Sequence, residues 1–141
     1  MPIRSAMRLA DGAVLAAAYW GGVFALAFVI GIGRTLWLAP RIGAFSAVLC
    51  EVPLVLAASW WWARRLLQRR PLPSRSAALA MGATAFAILM LAECALAVLL
   101  FGQTPAIWAA SLTTRAGALG LAGQLGFALM PGLVWQPRSG I

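Results

Sequence analysis

Residues 43–65 read GAFSAVLCEVPLVLAASWWWARR, and this stretch decides the fold class. Its apolar run from 43 to 63 is about 21 residues long, enough for a helix to cross a hydrocarbon core of about 30 Å. The tryptophans and arginines at its end are typical of a membrane interface. Glu51 lies inside the run, where an ionisable group is costly and marks a candidate site. The stretch therefore predicts a transmembrane helix that carries a polar site.

The composition predicts that lipid is the main solvent of the whole chain. Of 141 residues, 63% are hydrophobic and 10% are charged, and the mean hydropathy is +0.91. An ordinary soluble domain has about 25% charged residues. So few charges cannot cover a water-exposed surface. We therefore predict an all-α integral membrane protein, a four-transmembrane-helix bundle that forms one membrane domain over residues 1–141.

Four apolar runs are long enough to cross a membrane, and they are predicted at 13–33, 43–63, 77–101 and 117–135. The first run exceeds the 7–15-residue core of a signal peptide, so we expect it to remain uncleaved. Residues 102–116 are too polar for a span and are predicted to lie at the interface. The segment between the first two runs is predicted to be a loop.

The distribution of arginines predicts the orientation, because cytoplasmic loops are enriched in arginine and lysine. Eight arginines fall on one side of the predicted spans and three on the other. We therefore expect a multi-pass protein of the bacterial inner membrane with both termini in the cytoplasm. The eight are Arg4, Arg8, Arg64, Arg65, Arg69, Arg70, Arg75 and Arg138, and the three are Arg34, Arg41 and Arg115.

The residue types that are missing exclude several classes of site. The chain has no histidine, the usual ligand of haem iron and catalytic zinc and the commonest general base. Cys50 and Cys94 are expected to be small apolar residues within spans rather than a redox pair. The arginines flank apolar runs and do not form a face for nucleic acid. We expect no catalytic set, no metal and no cofactor, and the lipid bilayer as the main partner.

Three polar residues are predicted to form one layer within the membrane. Glu51, Glu93 and Gln124 each lie seven or eight residues from the outer end of their span. At about 1.5 Å per residue, this places all three roughly 10–12 Å below the outer surface of the core. Three side chains at one depth on three helices predict a cluster.

Several pairings are open within this polar layer. Two carboxylates at one depth are costly to ionise together, so Glu51 and Glu93 are expected to share a proton, with a hydrogen bond between them or to Gln124. Alternatively, an arginine neutralises one carboxylate, and Arg34, Arg41 and Arg115 are the candidates. The cluster could also have a purely structural role, in which each hydrogen bond between helices stabilises their association by about 0.6–2 kcal/mol.

Glycines and prolines add predictions about packing. Glycine recurs every three residues in the fourth span, which predicts a ridge for close contact between helices; its members are Gly117, Gly120, Gly123 and Gly126. Pro53 leaves the carbonyl of Leu49 without its helical donor, and Pro131 does the same for Phe127.

The stretch GRTLWLAPRIG at 33–43, followed by Glu51-Val52-Pro53 and a later intramembrane Glu93, resembles a group of small bacterial integral membrane proteins of uncharacterised activity. The likeness covers most of the chain and implies four helices and a bacterial inner membrane. It implies no activity and no functional residues. Small multidrug transporters are similar in size, but they carry their glutamate in the first span, which here contains no acidic residue.

These patterns leave three hypotheses for function. The leading one is a non-enzymatic membrane protein, either an accessory, assembly or stabilising subunit of a larger complex or a self-associating bundle. The alternative is a small oligomeric proton-coupled transporter or channel that uses Glu51 and Glu93. Few polar residues lead from this pair to the inner face, which disfavours transport. An enzyme is third, since paired carboxylates can perform acid–base chemistry but no nucleophile–base set accompanies them.

Overall fold

The computed structural model describes the backbone of residues 2–139 and the side chains of residues 8–139. Its helices are α1 (Pro2–Gly33), α2 (Ala39–Ile42), α3 (Ala44–Arg69), α4 (Arg75–Phe101), α5 (Pro105–Ser111) and α6 (Arg115–Val134). A π-helical turn, Arg34–Leu38, joins α1 to α2. Four of these segments are long and apolar enough to cross a membrane: 8–42, 44–69, 75–101 and 115–134. All four predicted spans therefore correspond to helices, although the helices extend beyond most of the predicted ends.

The four long helices form a ring. Both α1 and α6 pack against α3 and α4, so α1 and α6 occupy opposite corners, as do α3 and α4. Two ends can be distinguished. The basic end carries the link 70–74 between α3 and α4, and the opposite end carries Gly43 and α5. We call the corresponding halves of the bundle the basic half and the opposite half.

The predicted loop between the first two spans is wrong, because the chain remains helical up to Ile42. Pro40 has no N–H, and in an α-helix its ring would clash with the carbonyl of Leu36, four residues earlier. A π turn widens the helix just before Pro40, and in it the N–H of Ala39 donates to the carbonyl of Arg34, five residues earlier. The turn into α3 occurs at Gly43, whose φ of +88° is strained for any residue with a side chain.

The predicted interfacial segment 102–116 contains the short helix α5. Side chains cap its start and the start of α6. The hydroxyl of Thr104 accepts from the N–H of Ile107 at 3.2 Å, and that of Thr114 accepts from the N–H of Gly117 at 3.0 Å. These bonds satisfy backbone donors at helix starts, so the segment is an ordered connection between α4 and α6.

The buried core belongs almost wholly to the basic half. It contains Leu15, Ala16, Tyr19, Val23, Ala63, Leu67, Ala78, Met81, Ala85 and Phe127. Among the described residues, the buried apolar side chains outside this cluster are Pro131, in the basic half, and Ala47 and Ala97, in the opposite half. The two halves are therefore held together by different amounts of packing.

Tyr19 joins α1 to α6 across the centre of the basic half. Its hydroxyl donates to the carbonyl of Phe127 at 2.6 Å, and the two rings stack with centroids 4.5 Å apart. Because Pro131 has no N–H, the carbonyl of Phe127 lacks its usual donor within α6. The hydroxyl of Tyr19 takes the place of that donor. The bond removes a cost that a buried, unpaired carbonyl would otherwise carry.

Small residues let the helices approach closely around this core. A Cβ atom added to Gly82 of α4 would overlap the backbone carbonyl of Ala128 in α6. Between α1 and α3, the indole of Trp62 lies over Gly22 and its Nε1 donates to the carbonyl of Ala18 at 3.0 Å. The neighbour is backbone at Gly82 and the indole ring of Trp62 at Gly22, and neither position has room for a larger residue.

Candidate functional site

The first polar pair ties the end of α1 to α3. Nε of Arg34 lies 2.5 Å from Oε2 of Glu51. The backbone of Gly31, one turn earlier, is close to the same carboxyl group, so α1 approaches the pair without a side chain between them. An arginine beside a carboxylate gives a pair with no net charge, which lowers the cost of both groups in a setting with little water.

The second polar pair joins α4 to α6. Nε2 of Gln124 donates to Oε1 of Glu93 at 2.7 Å. The remaining amide oxygen, Oε1 of Gln124, is buried and has no hydrogen-bond partner among the described residues. The pair is therefore incompletely satisfied, unlike the tyrosine bond in the basic half.

The predicted polar layer thus consists of two separate pairs. Glu51 and Glu93 belong to α3 and α4, which occupy opposite corners of the ring, and α6 packs against both helices. In the part of the chain that the structure describes, the two carboxyl groups form no hydrogen bond to each other. No direct hydrogen bond carries the expected shared proton. Each carboxyl group has its own partner on a neighbouring helix, Arg34 for Glu51 and Gln124 for Glu93, and both partners are among the predicted pairings.

The other two candidate arginines do not join the layer. Arg41 is exposed at the end of α2. Arg115, at the start of α6, lies over the ring of Phe45 with its guanidinium carbon 4.7 Å from the ring centroid. This cation–π contact connects α6 with the start of α3 at the opposite end.

The predicted glycine ridge of α6 faces more than one direction. A Cβ atom on Gly123 would lie 3.2 Å from the side chain of Val52, and one on Gly126 would lie 2.7 Å from that of Leu56, so these two glycines contact α3. Gly117 instead faces the carbonyl of Ser111 in the preceding turn, and Gly120 has open space beside it among the described atoms. A spacing of three residues turns back by about 60° per step in an α-helix, so four such positions cannot share one face.

Two grooves open at the basic end, and neither is lined by the polar pairs. One, of about 130 Å³, is lined by Trp61, Trp62, Arg65, Leu66 and Arg69. The other, of about 420 Å³, lies between the end of α3, the link 70–74 and the segment after α6. Among the described residues, no group of histidine, cysteine and acidic side chains has the arrangement of a metal site.

Sequence analysis missed the role of Tyr19, although a signal for it was present. The orphaned carbonyl of Phe127 needs a donor, and the chain's one tyrosine is among the few polar side chains within a predicted span. The π turn at Arg34–Leu38 was also missed, although Pro40 indicates a disturbed helix.

Four helices of this chain are long and apolar enough to cross a membrane, as expected of a multi-pass membrane protein. No protein-family model, no curated protein and no solved structure matches it.

Proposed function

We propose that the protein is a non-enzymatic, multi-pass protein of the bacterial inner membrane, with both termini in the cytoplasm, that acts by assembling with other membrane helices. Those helices belong either to a larger membrane complex, of which this chain is an accessory or stabilising subunit, or to further copies of itself. The arginine distribution supports the orientation. The contrast between the two halves supports the assembly.

The observation that carries the proposal is the incomplete burial of the pair between Arg34 and Glu51. The side chain of Arg34 is 29% accessible and that of Glu51 is 16% accessible within this chain. At about 10 Å inside a membrane, hydrocarbon is a poor solvent for such groups. A further helix over the pair would remove it from lipid and lower that cost.

The surroundings of the pair also favour a helical partner. The opposite half has almost no buried core, and large apolar side chains are exposed there; they include Val29, Leu36, Trp37, Leu99, Leu100 and Phe101. Lipid can solvate these residues but cannot satisfy the charged pair beside them. A partner helix can do both, since it offers apolar contacts and polar groups together.

A photo-crosslinking experiment in native membranes tests this proposal. Cys50 is exposed and directly precedes Glu51, so a benzophenone maleimide attached to it, in a Cys94→Ala variant, probes the surface beside the pair. We expect one discrete product, either a dimer of this chain or an adduct with another membrane protein. Purification in mild detergent should yield a particle of matching stoichiometry.

The matched control is Leu133→Cys in a chain without Cys50 and Cys94, because Leu133 is 70% exposed on α6 in the basic half. Crosslinking there is expected to reach lipid alone. A monomer in mild detergent with no product from Cys50 would contradict assembly. Equal products from both positions would contradict the assignment of the contact to the opposite half.

The transport alternative is distinguished by a different measurement. A proton-coupled transporter that uses Glu51 and Glu93 would show pH-dependent ion flux in liposomes that contain this chain alone. Each carboxyl group is already engaged by a separate partner, and neither lines one of the two grooves at the basic end. These observations favour assembly over transport.

A further inference from the structure

The larger groove at the basic end has walls fixed by contacts between distant parts of the chain. Nε1 of Trp135, just after α6, donates to the carbonyl of Leu72 in the link 70–74 at 3.1 Å. This bond holds the segment after α6 against the connection between α3 and α4. The resulting groove of about 420 Å³ falls within the usual range for small-molecule sites, about 300–1,000 Å³.

The charged side chains that line this groove are both positive. Arg64 and Arg138 line it, and the polar side chains beside them are neutral. None of the chain's three acidic residues lines the groove, and the ion pair seen among the described residues lies in the opposite half. The counter-charge for these arginines is therefore not a carboxylate among the described groove-lining residues.

Besides the arginines and these neutral polar side chains, the groove has apolar walls, which restrict the kind of anion that fits. Leu67, Leu72 and Val134 form walls next to the arginines, together with the ring of Trp135. The guanidinium carbon of Arg64 lies 5.3 Å from the ring centroid of Trp60, a contact that limits the orientations of the side chain. A ligand that satisfies both parts of the groove carries an anionic group next to hydrocarbon.

We propose that this groove binds one anionic phospholipid, with its phosphodiester between Arg64 and Arg138 and its acyl chains along the apolar walls. Arginine is well suited to phosphate oxygens because its guanidinium offers several N–H donors in one plane. Basic sites between helix ends are a known way to hold lipid headgroups at a membrane surface. The proposal needs a membrane location but does not depend on assembly with other helices.

The test is native mass spectrometry and thermal unfolding of the purified chain in mild detergent. The added probes are dioleoyl phosphatidylglycerol, dioleoyl phosphatidylcholine and inorganic phosphate. We expect one phosphatidylglycerol per chain to remain bound and to raise the unfolding temperature, with little effect from the other two. Equal retention of phosphatidylcholine, or equal protection by inorganic phosphate, would overturn the proposal.

Variants locate the site on this groove. Arg64→Gln/Arg138→Gln should weaken phosphatidylglycerol binding at least tenfold, and Arg138→Gln alone, which leaves the helices untouched, should weaken it severalfold. The matched control is Arg65→Gln/Arg69→Gln, which removes the same charge from the same end but from the smaller groove. Unchanged binding in the first variant, or an equal loss in the control, would show that no specific lipid site exists here.

Discussion

The two halves of this bundle are stabilised by different kinds of contact. In the basic half, helices touch through buried apolar side chains and glycines, and the hydroxyl of Tyr19 satisfies the carbonyl that Pro131 leaves free. In the opposite half, packing is sparse, and two polar pairs connect neighbouring helices. The helices of this chain therefore associate through two kinds of contact, apolar packing and polar pairs. Close packing is the main connection in one half, and directional polar contacts supplement sparser packing in the other.

The largest effect is expected from Gly82→Ala in the packed half. The added methyl group would overlap the backbone carbonyl of Ala128, which cannot move without shifting α6. We expect the unfolding free energy to fall by about 3 kcal/mol, which is the upper end of the usual cost of overpacking. Unfolding by denaturing detergent measures it.

Gly120→Ala is the matched control, because the same methyl group enters open space. It should be neutral or stabilising by up to about 1 kcal/mol, since alanine has the higher helix propensity. Equal destabilisation by both variants would mean that the close contact between α4 and α6 does not cause the stability loss in Gly82→Ala.

A smaller effect is expected from Tyr19→Phe, which keeps the stacked ring and removes the hydroxyl. The carbonyl of Phe127 then loses its donor, at a cost of about 1–2 kcal/mol. In a Pro131→Ala background, the new backbone N–H can donate to that carbonyl, so the same substitution should cost clearly less. Unfolding free energies of the four proteins measure this coupling, and equal costs in both backgrounds would contradict the role of Pro131.

The smallest effect is expected in the polar half, from Gln124→Leu. It removes the donor to Glu93 at a cost of about 1 kcal/mol, the scale of hydrogen bonds between membrane helices. Glu93→Gln should be tolerated better than Glu93→Leu, because an amide oxygen can still accept from Gln124. Thermal unfolding of the three variants checks the order, and a larger loss for Glu93→Gln would argue for an essential charge.

The sequence predicts the helices well and their mutual arrangement poorly. Run lengths and flanking arginines locate the four helices, because an apolar segment must match the membrane thickness. They do not determine which faces meet, since lipid-facing and buried positions are both apolar. For that reason the glycine spacing predicts a helix contact at Gly120, whereas Gly123 and Gly126 make that contact. Likewise, equal depth does not determine which partner each glutamate takes, and the structure pairs Glu51 with Arg34 and Glu93 with Gln124.

Backbone chemistry was a better guide than polarity to specific partners. The missing donor at Pro131 follows from covalent structure, and the tyrosine bond to Phe127 is its consequence. Arg34 rather than Arg41 pairs with Glu51, and the π turn between the two arginines changes the angular position of the residues that follow it. Sequence patterns do not resolve such a rotation of a helix face.

The central claim, that the opposite half contains two independent polar pairs, is tested most directly by double-mutant cycles with leucine at the four positions. The account predicts coupling free energies of about 0.5–2 kcal/mol for Arg34 with Glu51 and for Gln124 with Glu93. It predicts less than about 0.5 kcal/mol for Glu51 with Glu93. A coupling between the two glutamates that exceeds both other values would contradict the account and restore a shared carboxyl site.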